Sequence, residues 1–366
     1  MNLLQQVFVV VPVVALLLVL AGYVFRSGFG RKVRLALTLV FVFCCSRYYV
    51  GLWFFGSVFY PEFPEWLHWS WCWAYVVTVI LAGMAAVTWG WKARCKAWLL
   101  PAVSLAVATV GLWNGICLPD VREVEVRYPD LPDELDGYRI VQLSDLHVSA
   151  AARRWRTQAI VDRANALGAD LVCLTGDYVD GYPKDRRTDI EPLRDLRAKD
   201  GVWFIPGNHE YYFDWQGWME AYREMGFRFL VNSCVFPRKS LALAGVSDPA
   251  AWRPETPCPM AEMPDVAKAF AAATNGEFRV LLQHQPKWAV ENERDHGVRL
   301  QLSGHTHGGI MPVLSLLVRS HNEGFLRGLY DVGRGKVFVH SGSGQWAGCQ
   351  LRYLDPAEIV VITLRK

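Results

Sequence analysis

Five short stretches of this chain carry residue types that could do chemistry. They read SDLH (144–147), GDYVD (176–180), GNHE (207–210), QHQP (283–286) and GHTHGG (304–309). Asp, Asn and His are metal-ligand types, and together they offer a mixed nitrogen and oxygen environment. Such an environment suits Mn, Fe, Zn or Co better than Ca or a thiolate-bound metal. Two ions about 3.5–4 Å apart can bridge a hydroxide and clamp a phosphoryl oxygen, with a carboxylate between them holding both. Taken singly, each stretch has a plainer explanation. A strand-end Asp is usually a helix cap, and a lone His is usually a satisfied surface or core residue. Five such stretches in one chain are poorly explained as five independent turns.

The elements that must position them are strands. YRIVQLSDLH (138–147), ADLVCLTGD (169–177), VWFIPGNHE (202–210), FRVLLQHQP (278–286) and VRLQLSGHTHGG (298–309) each read as an apolar strand ending in the polar residues. RWRTQAIVDRANAL (154–167) and WQGWMEAYREMG (215–226) have helical character between them. Strands alternating with helices predict a layered α/β fold, in which the carboxyl ends of the strands face one crevice.

The rest of the chain is of another kind. Of 366 residues, 52% are hydrophobic and only 20% charged, and residues 1–118 hold almost all of the long apolar runs. A helix crosses the hydrocarbon core with about 20 apolar residues. Four spans are expected: Val7–Phe25, Val33–Tyr60 (which contains Arg47), Trp71–Trp91 and Ala97–Leu118. The first lacks a positive n-region and more spans follow, so it reads as an anchor and not as a cleaved signal. Arg26, Arg31, Lys32 and Arg34 form one basic loop, and Lys92, Arg94 and Lys96 another, with the acidic PEFPEWLHW (61–69) between them. The positive-inside rule puts the basic loops in the cytoplasm and, with four spans, both termini outside it. Two domains are expected, 1–118 in the membrane and 119–366 globular. VREVEVRY (121–128) follows the last span as an alternating strand, so the tether is short.

Net charge is +3 with no long basic tract, which argues against nucleic acid as a stable partner. The nine cysteines contain no CxxC pair, which argues against a zinc ribbon or a redox motif. Whether Cys234 and Cys258 pair stays open at this stage. His68, His296, His321 and His340 read as exposed or structural. SGSGQWAG (341–348) lacks the Walker spacing and reads as a loop near the site.

At its five motifs the chain resembles the calcineurin-like metallophosphoesterases, whose pattern is Asp-x-His, Gly-Asp-x-x-Asp, Gly-Asn-His-Asp/Glu, a later His, and Gly-His-x-His. IVQLSDLH, GHTHGG and PAEIVVITL are similar to a membrane-anchored bacterial subgroup. The resemblance implies a four-layer αββα sandwich behind the transmembrane helices. It implies that Asp145, His147 and His307 bind one divalent ion, and that Asn208, His284 and His305 bind a second. Asp177 would bridge both. The ions would be two of Mn, Zn, Fe or Mg. His209 would contact phosphate or protonate the leaving oxygen, a role suited to imidazole near neutral pH. Asp180 and Glu210 would orient these groups. The expected activity is hydrolysis of a phosphodiester or pyrophosphate bond by a bridging hydroxide, with a membrane lipid among the candidate substrates. The alternative is a silent membrane receptor or scaffold on the same fold. Transport is disfavoured, since the spans hold few ionisable residues. A lipid substrate would require an apolar mouth, for which Tyr211, Tyr212, Phe213, Trp215 and IMPVLSLLV (310–318) are candidates.

Overall fold

The computed structural model describes residues 3–366 apart from 27, 58–60, 91–98, 253–260, 275, 347 and 354. The second basic loop, the end of the expected second span and Cys258 therefore lie outside the described residues. The chain divides into two units, Met1–Ile116 with Ala347–Leu351, and Cys117–Trp346 with Arg352–Lys366.

The first unit is helical: α1 (Leu3–Val19, continued by a π-helical turn at Leu20–Val24), α2 (Arg31–Cys45), α3 (Arg47–Phe55), α4 (Glu65–Gly90) and α5 (Leu99–Ile116). Among the described residues two stretches are long and apolar enough to cross a membrane, Glu65–Thr88 and Leu99–Ile116. There are three if α2 and α3, bent by 50°, form one span, and the apolar stretch Val10–Val24 is shorter. Of the four expected spans, the third and fourth meet this test, the second meets it as the bent pair, and the first is short among the described residues. The bend falls where Ser46 turns its hydroxyl back onto the Phe43 carbonyl at 2.7 Å, a bond that competes with regular helix. In α1, Pro12 removes a backbone donor. Arg47 is buried, and its guanidinium donates to Gln350 Oε1 at 2.8 Å, while Tyr48 OH donates to the Gly348 carbonyl at 2.7 Å. A charge among apolar helices is costly unless it is paired in this way.

The second unit contains eleven strands among its described residues: β1 (Asp120–Arg127), β2 (Arg139–Leu143), β3 (Leu171–Thr175), β4 (Val202–Ile205), β5 (Ser233–Arg238), β6 (Leu241–Gly245), β7 (Phe278–Leu282), β8 (Leu300–Ser303), β9 (Gly328–Val332), β10 (Gly335–Val339) and β11 (Glu358–Arg365). They form a five-stranded sheet, β1-β11-β2-β3-β4, and a six-stranded sheet, β5-β6-β7-β8-β10-β9. The helices are α6 (Arg154–Ala166), α7 (Pro183–Ile190), α8 (Asn208–Tyr212), α9 (Trp215–Glu224), α10 (Val266–Ala269), α11 (Ala289–His296) and α12 (Pro312–His321).

Strand alternation makes the layers. Ile140, Leu171, Cys173, Val360 and Ile362 from the first sheet share one core with Leu241, Leu243, Val280, Leu282 and Phe338 from the second. The sheets therefore pack face to face. The intervening residues face outward and are buried as well. Ala242, Ala244 and Leu281 pack with Ala269 and Phe270 at α10, and Val337 and Val339 pack with Ala289 of α11. Val141, Val172 and Leu174 are fully buried on the other outer face, as a helix-covered parallel sheet requires. Removing one such inner side chain, as in Leu243→Ala, costs about 2–5 kcal/mol. Strand β1, expected to be half buried, is an edge strand with one fully covered residue, Val126.

Candidate metal centre

Strands β2, β3 and β4 run parallel in one sheet, and β7 and β8 in the other. Each of the five sequence motifs starts where one of these strands stops. Asp145 and His147 follow β2, Asp177 follows β3, Asn208 follows β4, His284 follows β7, and His305 and His307 follow β8. The backbone is held in an uncommon conformation there. Of the ten non-glycine residues with positive φ among those described, five are Asp145, His147, Asp177, His305 and His307. Strain of this kind persists only where surrounding structure over-determines it, and it concentrates at functional sites.

All seven expected ligands come together. The ligand atoms of Asp145, His147 and His307 lie within 4.8 Å of one another, and so do those of Asp177, His284 and His305. His147 Nε2 is 3.0 Å from His307 Nε2, and His307 Nε2 is 3.5 Å from Asp145 Oδ1. Asn208 Oδ1 lies 2.8 Å from His305 Nδ1 and 3.2 Å from His284 Nε2. Asp177 Oδ2 stands between the two groups, 3.2 Å from His284 Nε2 and 3.7 Å from His147 Nε2. A divalent cation is suited to such converging imidazole nitrogens and carboxylate oxygens.

Neighbouring groups aim these side chains. His284 Nδ1 donates to the Thr175 carbonyl at 2.6 Å, which turns Nε2 toward Asp177. Asp180 accepts from His147 Nδ1 on Oδ2 at 3.0 Å and from His209 Nδ1 on Oδ1. Glu210 accepts from the backbone N–H groups of Asp177 (3.0 Å), Tyr178 (2.8 Å) and Gly207 (2.7 Å), tying the β3 loop to the β4 loop. Asp145 accepts from Ser144 Oγ at 2.5 Å and from the His305 N–H at 3.0 Å. The glycine of GNHE has a steric reason. A Cβ on Gly207 would lie 2.2 Å from Asp177 Oδ1.

Electrostatics divide the imidazoles: against their burial, Asp180 raises His147 and Asp177 takes His284 well above its usual value. Burial would raise the Asp177 carboxyl, but His284 and His209 beside it hold it well below the usual range. Asp180 is likewise brought to about 2 against its burial by His147 and His209. Burial, with His284 alongside, lowers His305 to about 3, and burial with His147 takes His307 well below its usual value. Both imidazoles are therefore neutral, with lone pairs available. Burial and then Asp177 push Glu210 up to about 7.

The remaining assignments divide. His209 sits at the edge of the cluster, its Nε2 3.9 Å from Asp177 Oδ2 and its side chain 12% exposed. His68 and His340 are buried structural residues, bonded to the Pro61 carbonyl and the Gly342 N–H respectively. Cys234 is a free thiol. Tyr211 and Phe213 are core and not rim. Tyr211 stacks on Trp215 at 4.2 Å and packs against Ala250 and Ala251. Leu316 and Leu317 on α12 are exposed, at 70% and 65%. The loop 341–346 does border the site, with the Trp346 ring 6.4 Å from that of His307. Arg352 has no motif around it, and sequence reasoning passed over it. It is buried and donates to the carbonyls of Ser341 (2.7 Å) and Gly344 (3.1 Å).

Residues 138–309 match the calcineurin-like phosphoesterase family. Over that stretch, just under half of its length, the chain is similar to metallophosphoesterase domains. It is similar to an uncharacterized metallophosphoesterase of Helicobacter pylori, with 32% identity over 69% of this chain and 66% of that one. It is also similar to a transmembrane protein with metallophosphoesterase domain from Danio rerio, with 35% identity over 72% of this chain and 61% of that one. The chain thus spans just under two thirds of the length of these relatives. A solved dimetal phosphatase from Danio rerio is similar over 57% of this chain and 88% of that one, at 13% identity and a TM-score of 0.34, too loose a superposition to argue from.

Proposed function

We propose that the chain is a membrane-anchored, dinuclear metal-dependent phosphoesterase acting on a phosphodiester or pyrophosphate bond. The observation that carries this reading is the position of Asp177, whose Oδ2 faces both His284 and His147. In this reading residues 1–118 are the membrane region and 119–366 the catalytic domain. Asp145, His147 and His307 hold one divalent ion. Asn208, His284 and His305 hold the other, and Asp177 binds both. The donor set suits Mn, Fe or Zn.

Two bound ions would supply an activated water and neutralise charge on the phosphoryl oxygens. The chain's own residues do the rest. His209 offers Nε2 to the leaving oxygen and gives it a proton, while Asp180 fixes the ring through Nδ1. Asp180 and Glu210 keep the loops in register so that the donors converge without rearrangement.

The substrate is proposed to be a membrane lipid phosphodiester or lipid pyrophosphate. Supporting this are two helices able to cross a membrane in the same chain and the exposed Leu316 and Leu317 on the helix that follows GHTHGG. The catalytic domain is placed outside the cytoplasm on the strength of the basic loops.

The test is metal analysis of the purified full chain, with hydrolysis of a soluble phosphodiester, a lipid phosphodiester and a lipid pyrophosphate. About two ions per chain and chelator-sensitive turnover are expected. Two bound ions with no turnover on any substrate would favour the silent scaffold. A reporter fused after Lys366 that is active in the cytoplasm would overturn the orientation.

A further inference from the structure

The loop 341–344 carries no metal-ligand type, yet it touches the Asp145 and His307 side directly, mainly through its backbone and also through Ser343 Oγ, which accepts from the Ser144 N–H at 3.5 Å. The Ser343 N–H donates to the Ser144 carbonyl at 2.7 Å, and the Gly344 N–H donates to the Asp145 carbonyl at 3.1 Å. Asp145 has φ +51°, a conformation that a non-glycine residue keeps only when its backbone is held. The approach is as close as two chains allow. A Cβ on Gly344 would lie 1.8 Å from the Leu146 carbonyl oxygen, and one on Gly342 would lie 3.3 Å from both Asp145 Cβ and His307 Nδ1.

Arg352 holds the other side of this loop. Its Nη1 donates to the Ser341 carbonyl at 2.7 Å, and its Nη2 to the carbonyls of Gly344 at 3.1 Å and Gly342 at 3.4 Å. The side chain is buried, and no carboxylate lies within ion-pair distance of it among the described residues. Apart from a longer bond from Nη1 to the Asp355 carbonyl at 3.4 Å, this buried guanidinium gives its donors to one loop's carbonyls, which is expensive unless the loop's shape matters, because charge in low dielectric is costly without a matching anion. The planar fork reaches three carbonyls at once, which a point ammonium cannot do.

We infer that Arg352 is a positioning residue for the ion held by Asp145, His147 and His307, acting through the loop 341–344 that clamps the Asp145 backbone. The inference rests on the dinuclear reading of the site and concerns only one of its two halves. Arg352 is not among the residues proposed to hold an ion.

The sign of the effect separates positioning from plain electrostatics. Removing a cation beside a metal site strengthens metal binding if charge alone matters. Releasing the loop weakens it. The chelator-stripped full chain in detergent is titrated with Mn2+, with calorimetry for affinity and electron paramagnetic resonance for spin coupling between paired ions. The variants are Arg352→Met, of similar length, and Arg352→Lys, which keeps the charge but not the fork. Asp145→Asn and Asn208→Ala identify which step belongs to which half.

The wild type is expected to bind two Mn2+ and give a spin-coupled signal. In Arg352→Met the step also lost in Asp145→Asn weakens by about 10–100-fold, the range for groups that orient metal ligands. The step lost in Asn208→Ala stays, and the coupled signal gives way to that of isolated Mn2+. Arg352→Lys shows the same selective loss, smaller, and decides the matter if the Met variant does not fold. Tighter binding, unchanged binding, or equal weakening of both steps overturns the inference. A wild type that never binds a pair overturns the dinuclear reading, and the inference with it. A wild type that binds two while both variants bind as it does overturns this inference alone.

Discussion

The Nε2 atoms of His147 and His307 lie 3.0 Å apart, although the two residues are separated by 160 positions in the chain. Two imidazoles do not approach nitrogen to nitrogen for packing reasons. Either a proton lies between them or a cation does. Asp180 holds His147 from behind through Nδ1, and His307 is kept neutral by burial and by His147. His307 Nε2 thereby becomes a ligand in waiting, and chelation should be reversible. Stripping the ions should abolish turnover, and adding Mn2+ or Zn2+ back should restore it without refolding, since the donors already converge. Activity that survives exhaustive chelation would contradict the metal reading.

Asp177→Asn should lower both ion occupancy and rate, because a neutral amide cannot hold two cations as a carboxylate does. The amide can still accept from the His209 N–H, which now donates to Asp177 Oδ1 at 2.9 Å, so the fold should persist. Circular dichroism would confirm the fold and elemental analysis would count the ions. Two ions with a normal rate in this variant would remove Asp177 from the centre.

His209→Ala should keep both ions and lose rate, by about 10²–10⁴-fold for a general acid. The loss should be smaller for substrates with a more acidic leaving alcohol, which needs no proton. Loss of metal in this variant would make His209 a ligand instead.

Glu358, which is bonded to the loop 341–344 but is not a proposed ligand, provides a pH signature. Burial opposes its ionisation, but His340, the Ser341 N–H at 2.8 Å and Arg122 outweigh it, so its carboxyl lies below the ordinary value. A depressed folded pKa contributes stability that is complete above the unfolded value of about 4.3. That stability is lost as pH falls from there through the folded value. Glu358→Gln in the ion-free protein should therefore cost about 1–2 kcal/mol at neutral pH, and its melting curve should merge with that of the wild type in acid. A difference that is the same at pH 7 and below pH 4 would show that charge is not the cause.

Leu316 and Leu317 separate a lipid-facing mouth from a plain surface. Replacing both with Ser should spare hydrolysis of a soluble phosphodiester and reduce that of a lipid substrate in detergent. Because both are exposed, the melting temperature should move little. Equal loss on both substrates would count against lipid recognition by α12.

How much of this was legible beforehand depends on which kind of information each residue carries. Asp145, His147, Asp177, Asn208, His284, His305 and His307 could be picked out because their types are chemical and each lies just past an apolar run. A strand end is a local property, written in two-residue alternation and in the glycine beside it. The layered fold followed from strands alternating with helical segments, but β6, whose Leu241 and Leu243 face one layer and Ala242 and Ala244 another, was not singled out. The membrane region was legible as composition, and so were its third and fourth spans, but not the bend within the second. The turn at Ser46 breaks an apolar run whose hydropathy alone reads as continuous. Tyr211 and Leu316 are both apolar residues just past a metal motif, and nothing local tells the buried one from the exposed one. Only the packing of Ala250 and Ala251 over Tyr211 decided that. Arg352 could not be found at all, because its partners are backbone carbonyls that any residue would present. Its burial and the loop it grips exist only once β11 has paired with β2, a contact set by long-range packing and recorded in no short stretch of sequence.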